Sequence, residues 1–273
     1  MGSENLTKIA NDLRIDIVRS IAEAGSGHPG GSLSCADVLT ALYFGGVMEH
    51  DPADPGWPGR DRFVLAKGHA APALYAALAH AGYFPVEELM SLRKLGSRLQ
   101  GHPDRNLVPG VEVSTGSLGQ GLSIACGLAA GLRLGGGDQT VFCLLGDGEC
   151  QEGQVWEAAM FAAHNALDNL VAVVDRNGLQ IDGGTEEVCA LGDVAAKFAA
   201  FGWEASEVDG HDVGALVGAL AAAKAARTGR PRVLVARTVK GKGVSYMEGQ
   251  AGWRGKAPGA DELARALADL GND

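Results

Sequence analysis

Asp147 sits between two glycines, and Asn177 follows thirty residues later, just before Gly178, in the stretch GDGECQEGQVWEAAMFAAHNALDNLVAVVDRNGLQIDG, residues 146–183. A carboxylate oxygen, an amide oxygen and a main-chain carbonyl form a hard-oxygen set. Such a set suits Mg²⁺ or Ca²⁺ and leaves positions open for phosphate oxygens and water. Gly146 and Gly148 let the backbone come close to a diphosphate. Either piece alone also reads as a turn, because Gly, Asp and Asn favour turns for their own reasons. The pair at this spacing argues for a site.

The elements that position the pair are legible around it. QTVFCLLG, residues 139–146, is a buried-strand pattern, Trp156, Met160 and Phe161 follow at helical spacing, and LVAVVD opens a second strand. A parallel strand, helix, strand unit puts both strand ends on one edge of the sheet, where open α/β sheets bind ligands. Three histidines stand in comparable places. His28 lies in the glycine-rich SGHPGG, His69 in KGHA after the short strand RFVLAK, and His102 in GHPD ahead of a loop. Each alone also reads as a structural or turn-capping side chain.

GDG followed at this distance by N-G-x-x-I-D-G resembles the thiamine diphosphate motif, in the version most similar to transketolase, and the resemblance extends over nearly the whole chain. It implies that Asp147, Asn177 and the carbonyl of Leu179 hold Mg²⁺, or Ca²⁺ or Mn²⁺ in its place, and that Gly148 and Ile181 touch the cofactor. SGHPGG, KGHA and GHPD match segments whose histidines reach the substrate, so His28, His69 and His102 become catalytic candidates, with His69 also on the diphosphate. STGSLGQG matches the family segment in which Gly116 and Leu118 contact the cofactor, with Ser117 where many transketolases carry Pro. Glu152 and Glu157 match acidic positions near cofactor and subunit interface; they read equally as a solvated helix start, where carboxylates are favoured.

Two departures bear on function. Split relatives end this region in Trp-His-Gly-Lys, whereas here it reads Trp253-Arg254-Gly255-Lys256. A group able to relay a proton is replaced by a donor-only, permanently charged fork. Arg254 thus joins the catalytic candidates, binding an anionic group on a non-standard acceptor or swinging outwards. The second departure is length. The chain resembles only the first half of a usual transketolase, so the resemblance implies a second subunit carrying the pyrimidine-binding domain, assembled as a heterotetramer, and ketol transfer from a ketose donor to an aldehyde acceptor.

Other readings compete. An α-keto-acid dehydrogenase subunit shares the GDG unit but would not be expected to carry the three histidines, and a deoxyxylulose-phosphate synthase is normally one long chain. A non-catalytic interaction protein keeping the fold has Arg254 in its favour. A nicotinamide oxidoreductase has only Gly25, Gly27 and Gly30, a G-x-G-x-x-G that follows a helix where the fingerprint needs a strand.

The rest of the chain fits one α/β domain over residues 1–273, a doubly wound, mostly parallel sheet flanked by helices. Leu6, Ile9, Leu13, Ile17 and Ile21 mark an amphipathic helix over 4–24. Ser34 or Ser32 caps the helix ADVLTALYF, residues 71–83 are helical, and EELMSLRKLG forms a short helix stopped at Gly96. Asp212 caps a later helix, which makes His211 structural, and His50 and His80 are surface or packing residues. Lys240 and Lys242 lie in a basic loop that approaches an anion or is solvated. A flexible tail is expected from about residue 245. With 46% hydrophobic residues the chain can bury a full core. A net charge of −10 argues against a nucleic-acid partner. No apolar run reaches a membrane span, and the start lacks a signal-peptide pattern. Five scattered cysteines without C-x-x-C support neither disulfides nor zinc, and a cytoplasmic location fits.

Overall fold

Alternate residues along the central strands enter two different cores. In the computed structural model, which describes residues 2–271, Phe142, Leu144, Val171 and Val173 face one layer, while Val141, Cys143, Leu145, Ala172 and Val174 face the other. Both layers are apolar, so the strands read as continuous Val/Leu runs, as expected of a parallel sheet covered on both faces.

The sheet comprises β1 (Arg62–Leu65), β2 (Val141–Gly146), β3 (Leu170–Arg176), β4 (Glu204–Asp209) and β5 (Arg232–Arg237). Its order is β1-β2-β3-β5-β4 and every pairing is parallel. β4 lies at an edge and carries exposed Glu207, the charge pattern that discourages edge-to-edge pairing. One face is covered by α1 (Ser3–Ala24), α2 (Pro29–Ser34), α3 (Ala36–Phe44), α4 (Ala71–His80) and, later in the chain, α9. On the other face lie α5 (Gln120–Leu134), α6 (Gly153–His164) and α8 (Val194–Ala200), with the single turn α7 (Thr185–Val188) between β3 and α8 in the chain. α9 spans Val213–Ala225, and α10, Ala260–Asp269, ends the described chain.

The amphipathic first helix, the Asp212 cap and the strand, helix, strand unit occur where the sequence places them. Asp212 accepts the Ala215 N–H at 2.9 Å. Its neighbour His211 bridges Asp37 and the Val239 N–H, both at 2.8 Å, which is a structural role. His80 binds Asp16 at 2.7 Å, and His50 stacks on Tyr83, so both are packing residues.

Several local expectations fail. Neither Ser32 nor Ser34 caps the helix that follows: PGGSLS is itself α2, started by Pro29 at its first turn, and α3 begins after Cys35 with no side-chain cap. Ser32 bonds the His28 carbonyl at 2.8 Å, and Ser34 is drawn inwards to Asp175 at 2.6 Å. The helix expected to stop at Gly96 is a tight 3₁₀ turn, Val86–Ser91; the chain leaves helical geometry at Leu92 and turns left-handed at Arg93, whose φ is +58°. The segment read as a tail from about 245 folds back, burying Met247, Trp253 and Leu270, with Asn11 of α1 donating to the Leu270 carbonyl. Met1, Asn272 and Asp273, which the domain bounds 1–273 include, lie outside the described residues.

Candidate active site

Register sets the site. Gly146 of β2 pairs with Asp175 of β3, so the residues after both strands emerge side by side at the carboxyl edge. Asp147 is buried there, 1% exposed. One carboxylate oxygen accepts the Gly148 N–H at 2.8 Å, and the other accepts the Gly178 N–H at 2.6 Å and faces Arg176 at 3.4 Å. Burial, reinforced by the nearby Asp175 charge, pushes its carboxyl up to about 6. The Asn177 amide oxygen accepts the Leu179 N–H at 3.1 Å, and its nitrogen donates to Asp175 at 3.2 Å. Gly148 must be glycine here, because a Cβ would stand 2.7 Å from Cβ of Gln180.

Beneath this surface Asp175 is fully buried and gathers four donors: Lys67, Ser34, Thr238 and Asn177. Lys67 also donates to the Gly31 carbonyl at 2.8 Å. Burial disfavours both charges, yet each partner outweighs it for the other: Asp175 stays below the usual carboxylate range and Lys67 above its ordinary value. Glu149 clamps two loops, accepting N–H groups of Gly119 and Gly146, each at 3.0 Å; burial raises its carboxyl to about 7.

The three histidines converge. The His28 ring centroid is 5.5 Å from that of His69 and 6.2 Å from that of His102. Burial and surrounding cations lower all three: His28 to about 4, with Arg93, Arg254, His102 and Lys240 acting on it; His69 well below its usual value; and His102 by burial and Arg93. They are therefore neutral near pH 7, each presenting one N–H and one lone pair.

A cavity of about 190 Å³ opens beside them, lined by Lys67, His69, Asp147, Asn177, Lys240 and Arg254 among others. Leu118, Gly148, Glu152, Leu179 and Ile181 share its wall, so most residues expected at the site are brought together. Gly116 lies against the His102 ring, 3.0 Å from the point its Cβ would occupy. Glu157 is apart, on the exposed face of α6 with Met160 and Phe161. Lys240, left open by the sequence, is 5% exposed, and burial followed by repulsion from Lys67 lowers its ammonium to about 8. Lys242 stays outside, 3.6 Å from Glu248. Lys67, Glu149, Asp175 and Arg93 were not anticipated. For Asp175 a signal existed, since it is a carboxylate directly after the apolar run LVAVV of its strand, two residues before Asn177.

The family model for the transketolase thiamine diphosphate binding domain matches residues 5–273. The chain belongs to this transketolase family. It is 48% identical over 241 residues to the 6-deoxy-6-sulfo-D-fructose transketolase subunit SqwG of Clostridium sp. (strain MSTE9), covering 88% of this chain and 87% of that one. It is 42% identical over 270 residues to an apulose-4-phosphate transketolase subunit of Phocaeicola vulgatus, with 99% and 95% covered. The transketolase of Campylobacter jejuni superposes with a TM-score of 0.92 at 34% identity, over all of this chain but only 44% of that one. This transketolase-family chain thus matches proteins named as transketolase subunits over most of their length, and less than half of the solved Campylobacter jejuni transketolase chain. Among its described residues no helix is long and apolar enough to cross a membrane.

Proposed function

We propose that the chain is the diphosphate-binding subunit of a two-chain transketolase that moves a two-carbon ketol unit from a ketose donor to an aldehyde acceptor. The observation that carries this reading is that Asp147, Asn177 and His69 line one cavity, with the His28 ring 5.5 Å from that of His69 and 6.2 Å from that of His102.

The residues fit the cofactor. Asp147 is a buried carboxylate short of compensating positive charge, which a divalent cation restores. Asn177 and the Leu179 carbonyl supply further hard oxygens, so Mg²⁺ suits the set, with Ca²⁺ or Mn²⁺ in its place. Among the described residues no three His, Cys, Asp or Glu side chains converge as a metal site, and the proposed set needs only one of those types. Lys240 neutralises the diphosphate, while Gly116, Leu118, Gly148, Glu152 and Ile181 shape the walls around the cofactor.

When bound, thiamine diphosphate supplies the nucleophilic carbon that breaks and re-forms the C–C bond. His28, His69 and His102 do the rest on this chain. As neutral imidazoles they donate to carbonyl oxygens and accept from hydroxyls, and they move protons at those oxygens in steps worth roughly 10² to 10⁴ in rate each. A partner subunit completes the site with the pyrimidine-binding domain. The exposed face of α6 with Glu157, Met160 and Phe161 suits a subunit contact, and a cytoplasmic heterotetramer is the assembly we favour.

Arg254 lines the cavity as a fixed cation. With one relative named for a sulfo-sugar and another for a phosphorylated sugar, we assign it to a non-standard, anionic substrate. The test is co-expression with a chain resembling a transketolase second half. The purified pair would be titrated with thiamine diphosphate and Mg²⁺, then assayed with sulfonated and phosphorylated donors and several aldehydes. Saturable binding with transfer is expected; a stable pair that binds no cofactor would reject the assignment.

A further inference from the structure

Arg93 carries two energetic costs at one position. Its backbone is left-handed, φ +58°, a conformation that a residue bearing a side chain adopts only at an energetic cost. Its Nε is buried without a hydrogen-bond partner. Its own N–H bonds the Leu99 carbonyl at 2.8 Å, closing the 93–99 loop so that the side chain turns inwards. Local strain retained in this way points to function.

The guanidinium meets the histidine cluster. Arg93 Nη2 lies 3.4 Å from His28 Nδ1 and 3.5 Å from the Gly101 carbonyl. It rests on Gly101 so closely that a Cβ there would be 2.7 Å from Cζ. A guanidinium only donates, so His28 Nδ1 is the acceptor in this contact and cannot also hold a proton. The ring proton is left on Nε2, the edge that faces Gly255, next to Arg254 on the cavity wall.

We propose that Arg93 is a positioning residue that fixes His28 as the neutral Nε2–H imidazole, so that His28 meets substrate as a hydrogen-bond donor. The last clause rests on the proposed ketol-transfer function; the effect of Arg93 on the His28 ring does not. His28 also faces Arg254, Lys240, His69 and His102. These raise the cost of charging the ring, but only Arg93 occupies its Nδ1 lone pair.

The experiment labels histidine nitrogens in the full chain and follows each ring by long-range ¹⁵N–¹H spectra against pH, with His28→Gln to assign the signal. In wild type, His28 is expected to remain a single neutral Nε2–H tautomer well below pH 6. Arg93→Met should raise the proton affinity of His28 at least about tenfold and admit the second tautomer, while His69 moves less. Arg93→Lys should give a smaller change. Gly101→Ala keeps the charge but displaces the fork, so it should move His28 the same way even if Arg93→Met fails to fold. In the assembled enzyme, the acid limb of kcat/KM should shift upwards in step. An unchanged His28 titration in both variants would overturn the proposal, whatever happens to stability. Because the spectra need no activity, failure of this idea and failure of the ketol-transfer reading are separable.

Discussion

The carboxylate of Asp147 accepts the backbone N–H of Gly178 at 2.6 Å, a contact between the ends of two neighbouring parallel strands. It joins the two halves of the motif directly, and it leaves a buried carboxylate whose charge is only weakly offset by Arg176.

Replacing that carboxylate isolates the metal role. Asp147→Asn keeps size and the possibility of the Gly178 contact while removing the charge that attracts a divalent cation. Calorimetric titration of the assembled pair with thiamine diphosphate and Mg²⁺ should show affinity reduced at least about tenfold. Wild-type affinity would remove Asp147 from the metal site.

Lys240 should trade stability against binding. Its lowered folded-state value means that the unfolded chain holds more protons between about pH 8 and the ordinary lysine value. Stability from this group therefore rises with pH across that window, and below it the charged ammonium is a standing cost. Lys240→Met should stabilise the cofactor-free chain at pH 7 by about 1–3 kcal/mol in urea unfolding and weaken diphosphate binding. A variant less stable than wild type at pH 7 and equally so at pH 10 would contradict the sign.

The buried pair beneath the site should behave differently. Lys67→Met leaves Asp175 charged and unpaired in the core, a loss of about 3–5 kcal/mol. Adding Asp175→Asn should recover part of it, and a simple sum of the two single losses would show that the pair is not coupled.

Glycines offer a paired test of packing. At Gly121 a Cβ would fall 2.3 Å from Cβ of Ala66, so alanine must push α5 off the end of β1, costing about 1–3 kcal/mol. At Gly127, on the same helix, nothing lies within 4 Å. Alanine there should stabilise by about 0.5–1 kcal/mol through helix propensity. Equal effects in denaturant would show that the packing difference does not matter.

Much of this site was legible because local pattern and motif coincided. Asp147, Asn177 and His69 follow strands whose apolar runs are unambiguous, and register then places them. What escaped depends on packing between distant segments. Ser34 reads as a helix cap until Asp175 is known to draw it inwards. Lys67 reads as a strand-end lysine until its partner 108 residues away is seen. Arg93 sits in RKLG, which has ordinary helical composition, and only the turn at Leu99 sends its side chain to His28. The segment from about 245 reads as a flexible tail, whereas burial of Trp253 and Leu270 comes from surfaces elsewhere in the chain.

Asp175 draws its donors from residues as early as Ser34 and as late as Thr238. Such long-range closures form slowly, since loop entropy must be overcome before the contact rewards it. A chain still emerging from the ribosome therefore has no cavity until β5 is made and docked. Capture of cofactor reports a completed fold, and only then does ligand binding add its mass-action protection against unfolding.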